Sequence, residues 1–111
     1  MKGKRNGRGT FWWADGSWYE GQFRDGVQSG YGVLHRDGGH VEYEGSWHNG
    51  MFDGKGVQYF ENGEKYEGSF KEDKFHGDGV FYKDDSTIYG VWKDNELSVV
   101  NMVQSSLADK R

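Results

Sequence analysis

The sequence predicts an all-β fold: an elongated, twisted antiparallel sheet of about four stacked β-hairpins. Three observations predict it. A Tyr-Glu-Gly-x-aromatic unit recurs roughly every two dozen residues. Within each copy, aromatic or glycine positions alternate with polar ones, the two-residue period of a half-buried strand. Asp-Gly and Asn-Gly dipeptides separate the apolar runs, and these are the strongest short-range signal for a hairpin.

Composition supports a folded chain of one domain. The 111 residues are only 33% apolar, and the mean hydropathy is -1.00, values that alone point toward disorder. Aromatics nevertheless make up 17%, and each such ring buries a large apolar area. The core is therefore expected to be aromatic. Nineteen Gly and no Pro point to close backbone approach or positive φ, not to a flexible linker. The absence of Cys removes disulfides, thiolate metal sites and thiol nucleophiles, and fits a cytoplasmic location. No apolar run approaches the ~20 residues of a spanning helix, and Met1-Lys2-Gly3-Lys4-Arg5 is not followed by the apolar stretch of a signal peptide.

Charge is unevenly placed. The net charge is -4, yet residues 1–8 carry Lys2, Lys4, Arg5 and Arg8 and no acid. The other ten bases face all eighteen acids, a balance of -8. Such a body repels nucleic acid and anionic lipid, whereas the first residues attract them.

The elements follow in chain order. Tyr19-Glu20-Gly21-Gln22-Phe23 recurs as Tyr43-Glu44-Gly45-Ser46-Trp47 and Tyr66-Glu67-Gly68-Ser69-Phe70, with a degraded copy at Ile88-Tyr89-Gly90-Val91-Trp92. Nine residues after each of the first three glycines stands a Gly-x-Gly: Gly30-Tyr31-Gly32, Gly54-Lys55-Gly56 and Gly77-Asp78-Gly79. Gly7-Arg8-Gly9 precedes them in register. Each Gly-x-Gly opens an apolar or aromatic run and then a turn, such as Asp15-Gly16 or Asn62-Gly63. Strands are expected at about 9–14, 17–23, 31–36, 41–47, 56–60, 65–70, 79–83 and 88–93. Tyr19, Gly21 and Phe23 are assigned to the core face, and Glu20 and Gln22 to water. The bare Gly leaves room for a neighbouring ring to cross the backbone. The extra residue near His40-Val41-Glu42 predicts a bulge or looser turn.

Units cannot bury their faces alone and so must stack. They run at about 3–18 (partial), 19–42, 43–65, 66–88 and 89–94 (partial). Gly3 aligns with Gly26 and Gly50, so the chain begins within a unit. It is either a piece of a longer array or has an N-terminal edge that pairs with something. Residues 95–111 form a C-terminal cap or tail. Their Val99/Val100, Val103 and Leu107 are compatible with a short capping helix.

This pattern resembles the MORN (membrane occupation and recognition nexus) repeat over about residues 3–94. His76-Gly77-Asp78-Gly79 matches the family's frequent His-Gly-x-Gly. Ile88 in place of Tyr, Asp85 in place of the turn Gly, and no Gly after Asn95 mark the fourth unit as divergent. The resemblance implies a hairpin ribbon used in scaffolds, in cytoskeletal or ciliary assemblies and at membrane junctions, and as an appendage of lipid kinases, exchange factors or methyltransferases. It implies no catalysis by the repeats.

The residues themselves hold no catalytic constellation. Only His35 and His40 of the four His approach a metal-ligand spacing, and they straddle a turn, so surface or packing roles account for His35, His40, His48 and His76. Asp84-Asp85 reads as a solvated turn. Gly30-Tyr31-Gly32 lacks the third Gly and the helix of a dinucleotide loop. No metal, cofactor or small-molecule substrate is assigned, and the chain is expected not to be an enzyme.

Candidate binding residues remain. Phe52 and Phe75 take equivalent loop positions in successive units, with Met51 beside the first. They either pack between repeats or present an apolar stripe to a partner. Strand alternation puts Trp12 opposite Phe11 and Trp13; it either covers the first edge or is an exposed hot spot. Lys2, Lys4, Arg5 and Arg8 either bind anionic lipid, at about 1 kcal/mol each, or form a solvated terminus. The leading expectation is a protein-interaction scaffold offering a groove or edge to a partner peptide, a helix or its own copy. The alternatives are a peripheral adaptor on anionic membranes and a carbohydrate or cell-wall binder, the last echoed once in Trp12-Trp13 and Trp18-Tyr19.

Overall fold

Turn chemistry sets the path of the chain. The computed structural model describes residues 5–105. Within them run β1 (Gly7–Trp12), β2 (Trp18–Arg24), β3 (Val27–His35), β4 (Val41–His48), β5 (Met51–Tyr59), β6 (Lys65–Lys71), β7 (Lys74–Tyr82), β8 (Ser86–Lys93) and β9 (Glu96–Ser105). They form one open antiparallel sheet in sequence order, with extents of 60 × 28 × 18 Å.

The two ends of the strands turn differently. Along one edge, residues 14–16, 37–39 and 61–63 make three-residue loops, with Gly16, Gly39 and Gly63 at φ of 93°, 90° and 93°. Along the other, Asp25-Gly26, Asn49-Gly50, Glu72-Asp73 and Asp94-Asn95 all have positive φ. That geometry is the two-residue type I′ turn, whose twist matches the strands it joins. These turns also stack on the preceding unit. Asp73 N–H donates to the Phe52 carbonyl at 2.9 Å, and Phe52 N–H donates to Asp73 Oδ1 at 2.8 Å. Asn95 and Phe75 repeat the pairing at 3.2 and 2.9 Å.

The type I′ turns correct several expectations. The stretches expected as loops between units are strand, so β3, β5 and β7 begin at Val27, Met51 and Lys74, ahead of each Gly-x-Gly. Phe52 and Phe75 are therefore not exposed loop residues; they are 8% and 7% exposed, within the core. Met51 is half-buried and pairs with His48. Nine strands, not eight, occur among the described residues. The expected helix at Val99/Val100 and Val103 is instead β9, because the Asp94-Asn95 turn folds this segment back onto β8. Leu107 lies outside the described residues. The extra residue at Glu42 does give a register shift, with Leu34 opposite Tyr43 and His35 opposite Val41.

Gly-x-Gly works as a bulge within the strand. Gly21 pairs Gly32, whereas Phe23 pairs Gln28, so Ser29, Gly30 and Tyr31 stand opposite Gln22 alone. The same shift recurs opposite Ser46 and Ser69. Gly30, Gly54 and Gly77, the first glycine of each motif, carry φ of 87°, 102° and 102°, a conformation L-residues avoid.

The second glycine serves the core. Tyr19 lies over the facing backbones of Gly21 and Gly32, and a Cβ on Gly32 would overlap its ring. The Tyr19 hydroxyl then donates to the Gln22 carbonyl at 2.7 Å. Tyr43 and Tyr66 repeat this with Ser46 and Ser69 at 2.7 and 3.1 Å. All three tyrosines are fully buried, and every buried apolar side chain among the described residues is aromatic. Tyr43 and Tyr66 stack on Phe52 and Phe75 at 3.9 Å. Tyr19, Tyr43 and Tyr66 also meet Trp47, Phe70 and Trp92 of the next unit edge-on at 5.0, 5.1 and 5.5 Å. This ring spine joins the units.

Burial raises the pKa of the spine phenols, pushing Tyr19 and Tyr66 up to about 12 and Tyr43 further. A folded-state pKa above the unfolded one means that this contribution is intact below about pH 10 and is lost as pH rises through the folded value. Urea midpoints are expected to fall steeply between about pH 10 and 12, with phenolate absorbance appearing alongside unfolding. Ionisation of Tyr19, Tyr43 and Tyr66, followed at each ring separately by NMR, that occurs near pH 10 without loss of structure would refute the buried spine.

Candidate functional site

The face opposite the spine carries a groove. Its floor is one row across eight strands: Thr10, Glu20, Val33, Glu44, Val57, Glu67, Val80 and Tyr89, each in register with the next. The glutamates come from the Tyr-Glu-Gly strands and the valines from the residue after each Gly-x-Gly. The period of two puts both on the face away from the rings. This face holds a cavity of about 580 Å³ bounded by Tyr31, Lys55, Asp78 and Tyr82, with Glu44, Val57, Glu67 and Val80 on its floor.

The groove is acidic and partly fixed. The Tyr59 hydroxyl donates to Glu44 Oε1 at 2.9 Å. Partial burial, then the bond to Glu44, raises the Tyr59 pKa, and burial with the Glu67 charge does the same for Tyr82. The Lys65 ammonium sits 4.9 Å from the Tyr82 ring centre. Among the described residues neither Glu44 nor Glu67 makes an ion pair. His35 Nε2 stands 3.9 Å from Glu20 Oε1, the equivalent pair of the first unit.

At the groove's first end three rings line up across β1, β2 and β3. Trp12 stacks on Trp18 at 5.0 Å, and Trp18 stacks on His35 at 3.7 Å. Trp12 is 62% exposed, and Phe11 and Trp13, expected on the opposite face, are 47% and 36% exposed; Trp12 pairs with Trp18 and belongs to the groove face. Phe52 and Phe75 lie in the spine behind it, whereas Met51, next to Phe52 on β5 and opposite His48, lies on the groove face at the turn edge. Of the basic residues, Arg5 is engaged by its own chain: it covers the Phe23 ring at 5.1 Å and donates to the Thr10 carbonyl at 2.9 Å. Arg8 is exposed on β1. Lys2 and Lys4 lie outside the described residues. No group of three or more His, Asp or Glu is placed to hold a metal among the described residues, and none of their helices is long and apolar enough to cross a membrane.

The valine–glutamate row and its tyrosines escaped the sequence reading. The signals were present, since Glu follows every repeat Tyr and Val follows three of the Gly-x-Gly motifs. What joins them is the Gly–Gly register, which interleaves the two sets into one row.

A single-layer ribbon of repeating hairpins, with a ring spine behind and a groove in front, defines a repeat-built interaction module. The chain belongs to the MORN repeat family: the MORN repeat profile matches residues 1–18, 19–41, 43–65 and 66–88. It is also similar to Alsin of mouse, 37% identical over 71 residues, covering 58% of this chain and 4% of that protein. Human Alsin is 37% identical over 68 residues, with the same shares covered. The chain thus spans 4% of the length of these curated relatives.

Proposed function

We propose that this chain is a non-catalytic binding module that receives a segment of a partner protein in the groove of its acidic face. The carrying observation is the Glu44–Glu67 stretch, without an ion pair among the described residues, set in a groove with valine between the acids and tyrosine at the flanks. Apolar floor supplies contact area, and fixed anions supply orientation and partner choice. The rigid spine behind means little reordering on binding, which favours affinity. Phe52 and Phe75 act through the core that shapes the groove, Met51 stands on the other face of β5 at the turn edge, and Trp12 acts at the groove's rim.

Selecting displayed peptides against the chain tests this. Selected peptides are expected to shift amide resonances of β4–β7 and to lose at least tenfold in affinity against a Glu44→Lys/Glu67→Lys variant. That variant keeps its melting temperature, because both side chains sit on the face away from the spine. Peptides that perturb only the type I′ turn edge or β9, and bind the variant normally, would overturn the groove as the binding surface.

A further inference from the structure

We infer that the groove's occupant is a basic segment in the polyproline II conformation, with Lys or Arg at every third residue. This rests on the groove being the binding surface.

Spacing carries the argument. Glu20, Glu44 and Glu67 are in register two strands apart, with Val33 and Val57 between them. Neighbouring strands lie about 4.8 Å apart, so an occupant running along the ribbon meets a carboxylate about every 9.5 Å. A polyproline II helix has three residues per turn and a rise of about 3.1 Å, so it returns to one face about every 9.3 Å. An extended strand returns at about 6.6 or 13 Å and falls out of step. An α-helix returns at seven residues, about 10.5 Å, and is about 10 Å across with its side chains. The conformer in step with the glutamates is the polyproline II helix.

Chemistry agrees with the spacing. Tyr31, Tyr59 and Tyr82 flank the acids, and aromatic-lined grooves suit the preformed, solvated polyproline II backbone. Glu44 and Glu67 lack ion-pair partners among the described residues, and Glu20 has only the His35 imidazole at 3.9 Å, so cations on the occupant complete them. At the first end the open face of Trp12, stacked on Trp18 near Glu20, takes a guanidinium by cation–π contact.

Fluorescence anisotropy with labelled peptides tests this at physiological salt. One peptide repeats Arg-Pro-Pro four times. A second has the same composition with the four arginines consecutive. A third is an alanine-based helix of equal charge. The first is expected to bind at least tenfold more tightly than the other two, and at least tenfold more weakly to Glu44→Gln/Glu67→Gln, whose melting temperature is unchanged. Equal affinity for the first two peptides, preference for the helix, or no binding of the first overturns the inference. Preference for the helix that is lost in the Gln variant does so while leaving the groove as the binding surface. Tight binding of the first peptide that the Gln variant retains places the contact elsewhere and overturns both.

Discussion

Tyr43→Ala lowers the unfolding free energy by about 3–5 kcal/mol, whereas Tyr43→Phe costs about 1 kcal/mol. Tyr43 is fully buried. Its ring stacks on Phe52 and meets Trp47 and Phe70 edge-on. Beneath it lie the bare backbones of Gly45 and Gly56. A truncated side chain therefore leaves a cavity with glycine on one side, where nothing is present to collapse into it, and the loss sits at the upper end for an aromatic. The hydroxyl contributes a single bond, to the Ser46 carbonyl, so Phe keeps most of the contribution. Position adds to the effect. Tyr43 links the unit of Trp47 to that of Phe70, and repeat arrays are stabilised through nearest-neighbour interfaces. Urea unfolding of Tyr43→Ala, followed by tryptophan fluorescence and circular dichroism, is expected to show a lower midpoint and a shallower slope as the two halves uncouple. If Phe and Ala at this position cost the same, the hydroxyl and not the ring holds the spine.

Much of this spine was legible before any coordinates, because it depends on local pattern. The Tyr-Glu-Gly alternation assigns the faces of β2, β4 and β6 by itself. The other strands depend on reading a second turn in each unit. Asp25-Gly26 and Asn49-Gly50 carry the same hairpin signal as Asp15-Gly16, yet Gly-x-Gly, standing just beyond them, breaks the alternation and mimics a loop. Once those turns are taken as type I′, Phe52 and Phe75 fall into strands opposite Trp47 and Phe70, and their burial follows. Glu72-Asp73 and Asp94-Asn95 have no glycine, so only the unit spacing marks them. β9 is the harder case. Val99, Val100 and Val103 satisfy helical spacing as well as a bulged strand, and short apolar runs do not separate the two by period. The β-branched side chains favour the strand, and pairing with β8 decides it.

The groove was less legible, for a physical reason. Its parts come from separate segments: Glu44 and Tyr59 are fifteen residues apart and bond across the sheet. Their meeting depends on which residue opposes which, and the Gly-x-Gly bulge shifts that register by two. The folding of Arg5 onto Phe23 is likewise a matter of shape, since the charge pattern alone marks Arg5 only as one of four exposed cations.

Gly56→Ala is expected to cost about 3 kcal/mol, the upper end for overpacking, although replacing Gly by Ala within a strand ordinarily gains about 0.5–1 kcal/mol. The sign reverses because of what lies above the residue. Gly56 has no positive φ, so the backbone accepts Ala; the obstacle is the Tyr43 ring, which a Cβ there would overlap. That ring is held by Phe52, Trp47 and its bond to Ser46. It cannot shift without opening the spine. Gly54, two residues earlier, is the contrast. Its φ of 102° penalises any side chain through the backbone, while the nearest atom to an added Cβ is Ser46 Cβ at 3.0 Å. The two costs separate in a double-mutant cycle. In a Tyr43→Ala background the ring is gone, so Gly56→Ala is expected to cost almost nothing further, and Gly54→Ala to cost as much as before. A coupling of about 2–3 kcal/mol between positions 43 and 56, with none between 43 and 54, locates the clash at the ring. Full additivity at both glycines would mean that Gly56 is required by the backbone after all, and that the tyrosine over it is a consequence of the sheet's path and not one of its causes.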